Sequence, residues 1–445
     1  PAHLLACPQC GADSNSGLRP QEQRCEKCGQ EFFDLAGMPC WFNVGKAQLT
    51  LWQSLYGLAL QQAERNFALA EQELPLYDLL PRARARMQHM QQANRQIIDD
   101  VKHLMDSVGL EAKIAPEFAN YDASRMLQYF ELLLRDWAWD EAITPLDNEN
   151  RRELQRVRQA VEKAPAPLGH TLIMGAGAGR LSWEIHCELN PSSTLALDTN
   201  PVLISAAHRL VAQQKTWQLT EVHPNPQIDH EPVRRWTLAA KANEEKLQTW
   251  HALAANAWSP PIKPGAIDTV ITPWFIDVNG KEIRTLIAQV QNLLKPGGLW
   301  INTGPLLYGT DISPMRRYTT AEIRELAELA GFEFCYENVE ISPYLKTPLS
   351  AQLRTEQVWT FTARAPQRNQ KLPNSNPPAW ILLPHLPIPT LNIPPPNDPT
   401  LQHLLSLVDG QRSLNDIANI IAPNLDKDQN ALHLVQAVFV EYLLG

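Results

Sequence analysis

The stretch Asp268–Tyr308, DTVITPWFIDVNGKEIRTLIAQVQNLLKPGGLWINTGPLLY, reads as strand, loop, helix, turn and strand. Its opening run is apolar behind an acid and leads into Trp274, Phe275 and Asp277. Apolar residues then recur at helical spacing (Ile283, Leu286, Ile287, Val290, Leu293, Leu294), which predicts a helix. Lys295-Pro296-Gly297-Gly298 should stop that helix, because proline cannot continue the ladder and glycine takes positive φ without penalty. Leu299-Trp300-Ile301-Asn302 begins a new strand. An acid and aromatics thus sit at the C-terminal end of a buried strand, where open α/β sheets bind ligands.

Upstream the same alternation holds. Thr171–Met174 reads as a strand, Gly175-Ala-Gly177-Ala-Gly179-Arg180 as a loop, and Leu181–Ile185 as the start of a helix. Glycines there let the backbone turn sharply and approach a ligand with no Cβ in the way. A second strand, Leu195–Asp198, ends in an acid that can accept from both hydroxyls of a ribose. A dinucleotide fingerprint places its third glycine five residues after the first; here it comes four after, and no GKS/T follows. The bland alternative is a structural βα turn. The GxGxG spacing resembles class I S-adenosylmethionine-dependent methyltransferases, whose ligand has a ribose and an adenine but no pyrophosphate. The Leu294–Gly298 turn before a late strand fits the same superfamily.

The chain has 445 residues, 44% hydrophobic and 20% charged, with a net charge of −9. That balance describes a globular protein and disfavours broad nucleic-acid binding, which favours a basic face. No apolar run approaches the ~20 residues that span a bilayer. The opening PAHLLACPQC lacks a charged region followed by an apolar one, so no signal peptide is expected and the expected compartment is the cytoplasm. Four of the seven cysteines form two pairs, Cys7-Pro-Gln-Cys10 and Cys25-Glu-Lys-Cys28, separated by fourteen residues. Four thiolates on two tight turns point to structural zinc rather than a disulfide framework. Cys40 stands outside the four and reads as a core thiol.

Five segments follow. Residues 1–45 form a zinc ribbon. Residues 46–164 are a helical extension, with Pro81 interrupting it and a further helical segment from Ser124 to Trp139. Residues 165–365 alternate strands and helices, which implies a Rossmann-like α/β domain with a mostly parallel sheet. Residues 366–399 are a proline-dense extended linker in which Trp380–Leu383 can dock as a strand. Residues 400–445 are a small helical unit, with a turn at Asp409-Gly410 and Ser413 as a helix N-cap. The histidines, including His170, His186, His208, His223, His230 and His251, show no metal-ligand spacing.

Arg135-Asp136-Trp137, the Gly175–Glu184 loop, Phe275-Ile276-Asp277 and Lys295–Tyr308 together resemble the carnosine N-methyltransferase family, over about residues 120–365. The resemblance implies an S-adenosylmethionine-dependent N-methyltransferase. It implies Arg135 near the methionine carboxylate, Gly175, Gly177 and Gly179 along the cofactor, and Asp198 on the ribose. It puts Asn256 and Ala257 near adenine, with Asn256 where the family has an aspartate, and adds Pro273 to the cofactor residues. Asp277 would grip the acceptor imidazole, with Trp274, Phe275, Tyr308 and Tyr344 forming its walls. Arg180 reads either as a cofactor contact or as an ion pair with Glu184. Two departures matter: Gly309 replaces a histidine that helps bind carnosine, and Arg354–Trp359 stands where the family has a tyrosine-rich strand. The implied acceptor is therefore a histidine in a peptide, protein or peptide-like molecule rather than carnosine itself. The ribbon resembles units attached to some RNA methyltransferases, and the C-terminal unit resembles small winged-helix-type peptide-binding modules, which implies a peptide or protein partner there. An RNA base methyltransferase and a non-catalytic scaffold with a degenerate domain remain the alternatives, and no membrane association is expected.

Overall fold

The computed structural model describes residues 2–43, 45–121, 123, 126–144, 148–164, 166–223, 232–278, 282–310, 312–367, 379–382, 384–390, 399–424 and 431–444. Ser124, His230, Leu383 and most of the proline-dense linker (368–378 and 391–398) lie outside them.

The N-terminal unit carries two short antiparallel pairs, β1 (Leu18–Arg19) with β2 (Arg24–Cys25) and β3 (Phe33–Leu35) with β4 (Met38–Cys40). Two long helices follow, α1 (Gly45–Glu73) and α2 (Pro81–Ser107). Pro81 opens the second of these, at a position where its missing N–H costs nothing. The next helix, α3 (Tyr129–Trp137), leads to α4 (Glu149–Lys163), whose N-cap Asn148 accepts from the Arg151 N–H.

Strands and helices then alternate: β5 (His170–Met174), α5 (Arg180–Leu189), β6 (Ser193–Asp198) and α6 (Pro201–Val211). An antiparallel hairpin, β7 (Trp217–Val222) and β8 (Val233–Leu238), and the short α7 (Glu244–Leu247) precede β9 (Trp250–Ala254). The sequence continues with β10 (Ile267–Pro273), α8 (Ile283–Leu293), β11 (Leu294–Gly304), α9 (Thr320–Leu329), β12 (Glu333–Pro343) and β13 (Thr355–Arg364).

These strands form one nine-stranded sheet in the order β12-β13-β11-β10-β5-β6-β9-β4-β3. β9, β6, β5, β10 and β11 are parallel, and β13 enters antiparallel between β11 and β12. Near-continuous apolar runs fit strands covered on both faces, and Ile173, Leu197, Val270, Ile271 and Ile301 are fully buried. This is the expected Rossmann-like α/β architecture. The chain leaves β5 toward β6 and β9, then returns to β10 on the other side. The crevice beyond the ends of β5 and β10 is therefore the switch point at which such sheets take ligands.

Three details differ from the sequence reading. Lys295–Gly298 does not separate helix from strand. It lies inside β11 as an irregularity, with Ile267 opposite Leu294 but Thr269 opposite Leu299, and Gly297 at φ +74°. The sequence reading had no strand of the ribbon in the main sheet, yet β4 extends it. Cys40 pairs with Ala254, the Trp41 N–H donates to the Ala254 carbonyl at 2.8 Å, and Leu5 bridges Ile262. Trp380 belongs to a helix rather than a docked strand.

That helix is α10 (Ala379–Leu382), packed with α11 (Pro399–Ser406), α12 (Leu414–Ile421) and α13 (Ala431–Leu444) around a separate core of Trp380, Ile388, Leu404, Leu414, Ile417 and Phe439. Ser413 caps α12 in a reciprocal box with Asp416. Among the described residues this unit adds only an isolated antiparallel bridge, Pro387 to Ser413.

Candidate active site

A cavity of about 440 Å³ opens at the switch point, within the ~300–1,000 Å³ of small-molecule sites. The glycine loop forms its floor. The Gly175 N–H donates to the Leu197 carbonyl at 2.9 Å, and the Gly177 N–H donates to Asp198 Oδ2 at 2.7 Å. All three glycines have positive φ, but each for a different neighbour. A Cβ on Gly175 would meet the Phe275 ring at 2.6 Å, and one on Gly179 would meet Ala207 Cβ at 2.5 Å. A Cβ on Gly177 would meet nothing within 4 Å, so that backbone faces open cavity. Gly175, Gly177 and Asp198 line the cavity; Gly179 lies outside its lining and serves the packing of α5 on α6. Burial pushes the Asp198 carboxyl up, against the backbone N–H groups of Asn200, Gly177 and Thr199 that favour its charge.

The Arg135-Asp136-Trp137 element grips this loop from α3. Trp137 Nε1 donates to the Ala178 carbonyl at 2.8 Å. Arg135 pairs with Asp136 at 2.7 Å and lines the cavity. Burial disfavours the Arg135 charge, but Asp136 and Glu149 beside it prevail and hold its pKa above the ordinary value. Arg180 is engaged elsewhere. It pairs with Glu184 at 2.6 Å and Asp140 at 2.7 Å, its Nη1 donates to the Asp136 carbonyl at 2.8 Å, and it is absent from the lining.

Beyond β10 the chain turns at Trp274, whose φ is +49°. A bulky residue seldom adopts this region, and three contacts hold it there. Its N–H donates to the Thr303 carbonyl at 2.8 Å, its indole Nε1 donates to Glu153 at 2.7 Å, and its ring stacks on Tyr344 at 4.7 Å. Gly304 makes the turn possible, since a Cβ there would meet the Trp274 backbone at 2.9 Å. The turn sets Phe275 over Gly175 and points Asp277 into the cavity. Asp277 is 4% exposed. One oxygen, Oδ2, accepts from the Leu307 N–H at 2.7 Å; the other, Oδ1, is buried without a partner among the described residues. Burial pushes this carboxyl above its ordinary range; the Leu307 N–H opposes that shift and the nearby Glu356 charge adds to it.

Asn256, Ala257, Pro273, Trp274, Phe275 and Tyr344 all line the cavity. Tyr308 does not: its hydroxyl donates to the Tyr318 carbonyl at 3.0 Å, away from the lining. Sequence reading missed Glu149 and Glu153, two lining acids one helical turn apart on α4. It also missed Trp52 and Leu307, and it noted Arg354 only as part of a departure. No described histidine lines the cavity.

On the ribbon, the sulfurs of Cys7, Cys10, Cys25 and Cys28 lie within 4.8 Å of one another, with Cys7–Cys28 at 3.7 Å and Cys10–Cys25 at 3.6 Å. A tetrahedral zinc with bonds of ~2.3 Å has sulfurs about 3.8 Å apart. The thiols therefore fit the metal.

A family model described as carnosine N-methyltransferase matches residues 235–367. The carnosine N-methyltransferase of Mus musculus is 24% identical over 357 residues, covering 70% of this chain and 84% of that one. "Carnosine N-methyltransferase unmet" of Drosophila melanogaster is 27% identical over 257 residues, covering 53% and 54%. The solved phosphoethanolamine N-methyltransferase 2 of Haemonchus contortus in complex with S-adenosyl-L-methionine is 14% identical, covers 58% of this chain and 61% of that one, and superposes with a TM-score of 0.33. At that score the fold assignment rests on the strand order itself. By the family match and its relatives, this chain is a methyltransferase similar to the carnosine N-methyltransferases, the likeness to the family model lying in residues 235–367.

Proposed function

We propose that this chain methylates an imidazole nitrogen of histidine in a peptide or peptide-like acceptor. The observation that supports this most is the Asp277 carboxylate, buried in the cavity with one oxygen tied to a backbone N–H and the other free. An imidazole is a methyl acceptor only when neutral, through the ring nitrogen that carries no proton. Asp277 accepts the N–H of the opposite ring nitrogen, fixes the tautomer, and offsets the positive charge that develops on the ring. The Trp274–Tyr344 stack and Phe275 wall the ring and keep water out.

S-adenosylmethionine, when bound, supplies an electrophilic methyl group on a sulfonium centre. The residues that would hold it fit it. Gly177 leaves its backbone bare, and Asp198 stands at the end of β6 for ribose hydroxyls. Arg135 offers a cation to an amino-acid carboxylate. Asn256 Oδ1 accepts the Trp258 N–H at 2.9 Å and keeps a second lone pair for an exocyclic amine. The four ribbon cysteines would hold zinc in a closed structural site that does no chemistry. None of the seven cysteines is in a disulfide, which suits a reducing compartment, and we propose a cytoplasmic location.

Asp277→Ala should keep calorimetric binding of S-adenosylmethionine and lose transfer to histidine peptides by about 10²–10³-fold, the scale for one preorganised electrostatic group. Undiminished turnover in that variant would overturn the assignment.

A further inference from the structure

We propose that Ser259 is a positioning residue through which the zinc ribbon shapes the adenine end of the cavity, so that metal on the ribbon and S-adenosylmethionine in the cavity strengthen each other's binding. This rests on the readings of the four cysteines as zinc ligands and of Asn256 as the partner of adenine.

The segment after β9 carries Asn256, Ala257 and Trp258, all of which line the cavity. It has little means of holding its own shape. No helix or strand includes it before β10 begins, and Pro260, Pro261 and Pro264 have no N–H to pair. Within it, the Trp258 N–H donates to Asn256 Oδ1 at 2.9 Å, and the Ser259 N–H donates to the Asn256 carbonyl at 3.0 Å. That tight turn fixes Asn256 relative to Ser259. Wherever Ser259 is held, the Asn256 amide is held as well.

Ser259 is held by the ribbon. It is 1% exposed, and its hydroxyl donates to the Pro8 carbonyl at 2.9 Å. Pro8 lies between Cys7 and Cys10, inside the first knuckle. The Gly11 N–H closes that knuckle on the Cys7 carbonyl at 2.8 Å. A metal shared by Cys7 and Cys10 would fix the direction in which the Pro8 carbonyl points.

Past Ser259 the two chains stay together. The Ala6 N–H donates to the Pro261 carbonyl at 3.1 Å, the Lys263 N–H donates to the Leu4 carbonyl at 2.9 Å, and Lys263 pairs with Asp13 at 3.0 Å. An apolar route runs beside the polar one. Trp258 is buried in one cluster with Cys7, Cys25 and Phe275, its ring centroid 6.3 Å from that of Phe275. Phe275 in turn covers Gly175 of the glycine loop. Sites joined in this way are coupled reciprocally: each ligand raises the other's affinity by the same factor.

The test is calorimetric titration with S-adenosylhomocysteine of zinc-loaded protein, zinc-free protein and Ser259→Ala, each below its melting transition. Zinc-free protein should bind about ten- to a hundredfold more weakly. Ser259→Ala, with its metal content intact, should bind about three- to tenfold more weakly, the net worth of one hydrogen bond. Competition with a chromogenic chelator should show the converse, with saturating S-adenosylhomocysteine tightening zinc by the factor that zinc tightens S-adenosylhomocysteine. Ser259→Ala should also lose preference for S-adenosylhomocysteine over S-inosylhomocysteine, whose base lacks the exocyclic amine. A serine that only supports the fold would weaken both alike. Should the zinc-free protein unfold, Ser259→Ala carries the test. Equal affinity with and without zinc in folded protein, equal affinity in wild-type and Ser259→Ala, or equal losses on the two nucleosides would overturn the coupling and leave the methyltransferase reading standing. Wild-type protein that binds no S-adenosylhomocysteine, or no zinc, would overturn the reading of that site and the coupling with it.

Discussion

Asp277, in the role proposed for it, meets opposite demands in folding and in catalysis. Its folded pKa is raised above the ordinary 3.8 by burial, so the folded state binds the proton more tightly than the unfolded chain. Stability from this group is therefore present below the ordinary carboxylate range and is lost as pH rises through the raised value. Asp277→Asn should abolish transfer yet gain thermal stability relative to the parent as pH rises from about 4 to 8. Melting temperatures that track each other across that range would contradict this. The glycine loop offers a second contrast, between neighbours of the same type. Gly179→Ala puts a methyl 2.5 Å from Ala207 and should cost ~1–3 kcal/mol of stability in denaturant unfolding. Gly177→Ala meets no protein atom but must hold φ +56°, so beside a backbone cost of ~1–2 kcal/mol it should weaken cofactor affinity, read by calorimetry.

At the scale of elements, the turn after β10 is held by a carboxylate on a different helix. Glu153 accepts from the Trp274 indole and, through Oε2, from the Thr303 hydroxyl at 3.1 Å. It also pairs with the buried Arg156, which reaches Glu340 on β12 at 2.6 Å. One side chain thus ties α4 to the ends of β10 and β11. Glu153→Ala would leave Arg156 with Glu340 as its one acid and strand the indole, at a cost of ~1–3 kcal/mol for an unsatisfied buried donor. It should also raise KM for the acceptor, because Trp274 leaves its left-handed turn. Glu153→Gln still offers an oxygen to the indole and should recover the KM better than the stability.

Across the whole molecule, the ribbon and the central sheet share hydrogen bonds, so loss of the proposed zinc should be felt beyond the ribbon. Chelation at neutral pH, or Cys25→Ser, should lower the melting temperature of the whole sheet domain as one transition; metal content read by mass spectrometry would confirm what was removed. A separate early transition would mean that the ribbon folds independently. The C-terminal unit has its own core and meets the helical extension at the Phe118–His385 ring contact, 4.8 Å between centroids. Deleting residues 368–445 should leave S-adenosylmethionine affinity unchanged.

Alternating apolar segments, the glycine loop, the acid after β10 and the paired cysteines were legible in the chain, because periodicity and short spacings are local and need no knowledge of neighbours. The order of strands made the cavity, and it brought together segments more than a hundred residues apart. That convergence gave Gly179 a packing task, turned Tyr308 toward Tyr318, and set Glu149, Glu153 and Arg354 around Asp277. None of these follows from spacing, because a side chain's neighbours across a sheet depend on how the sheet is wound. The sequence alone determined the reaction class and marked the acid after β10; the tertiary structure decided that this acid is buried in the cavity and which charges surround it, because those neighbours come from distant segments.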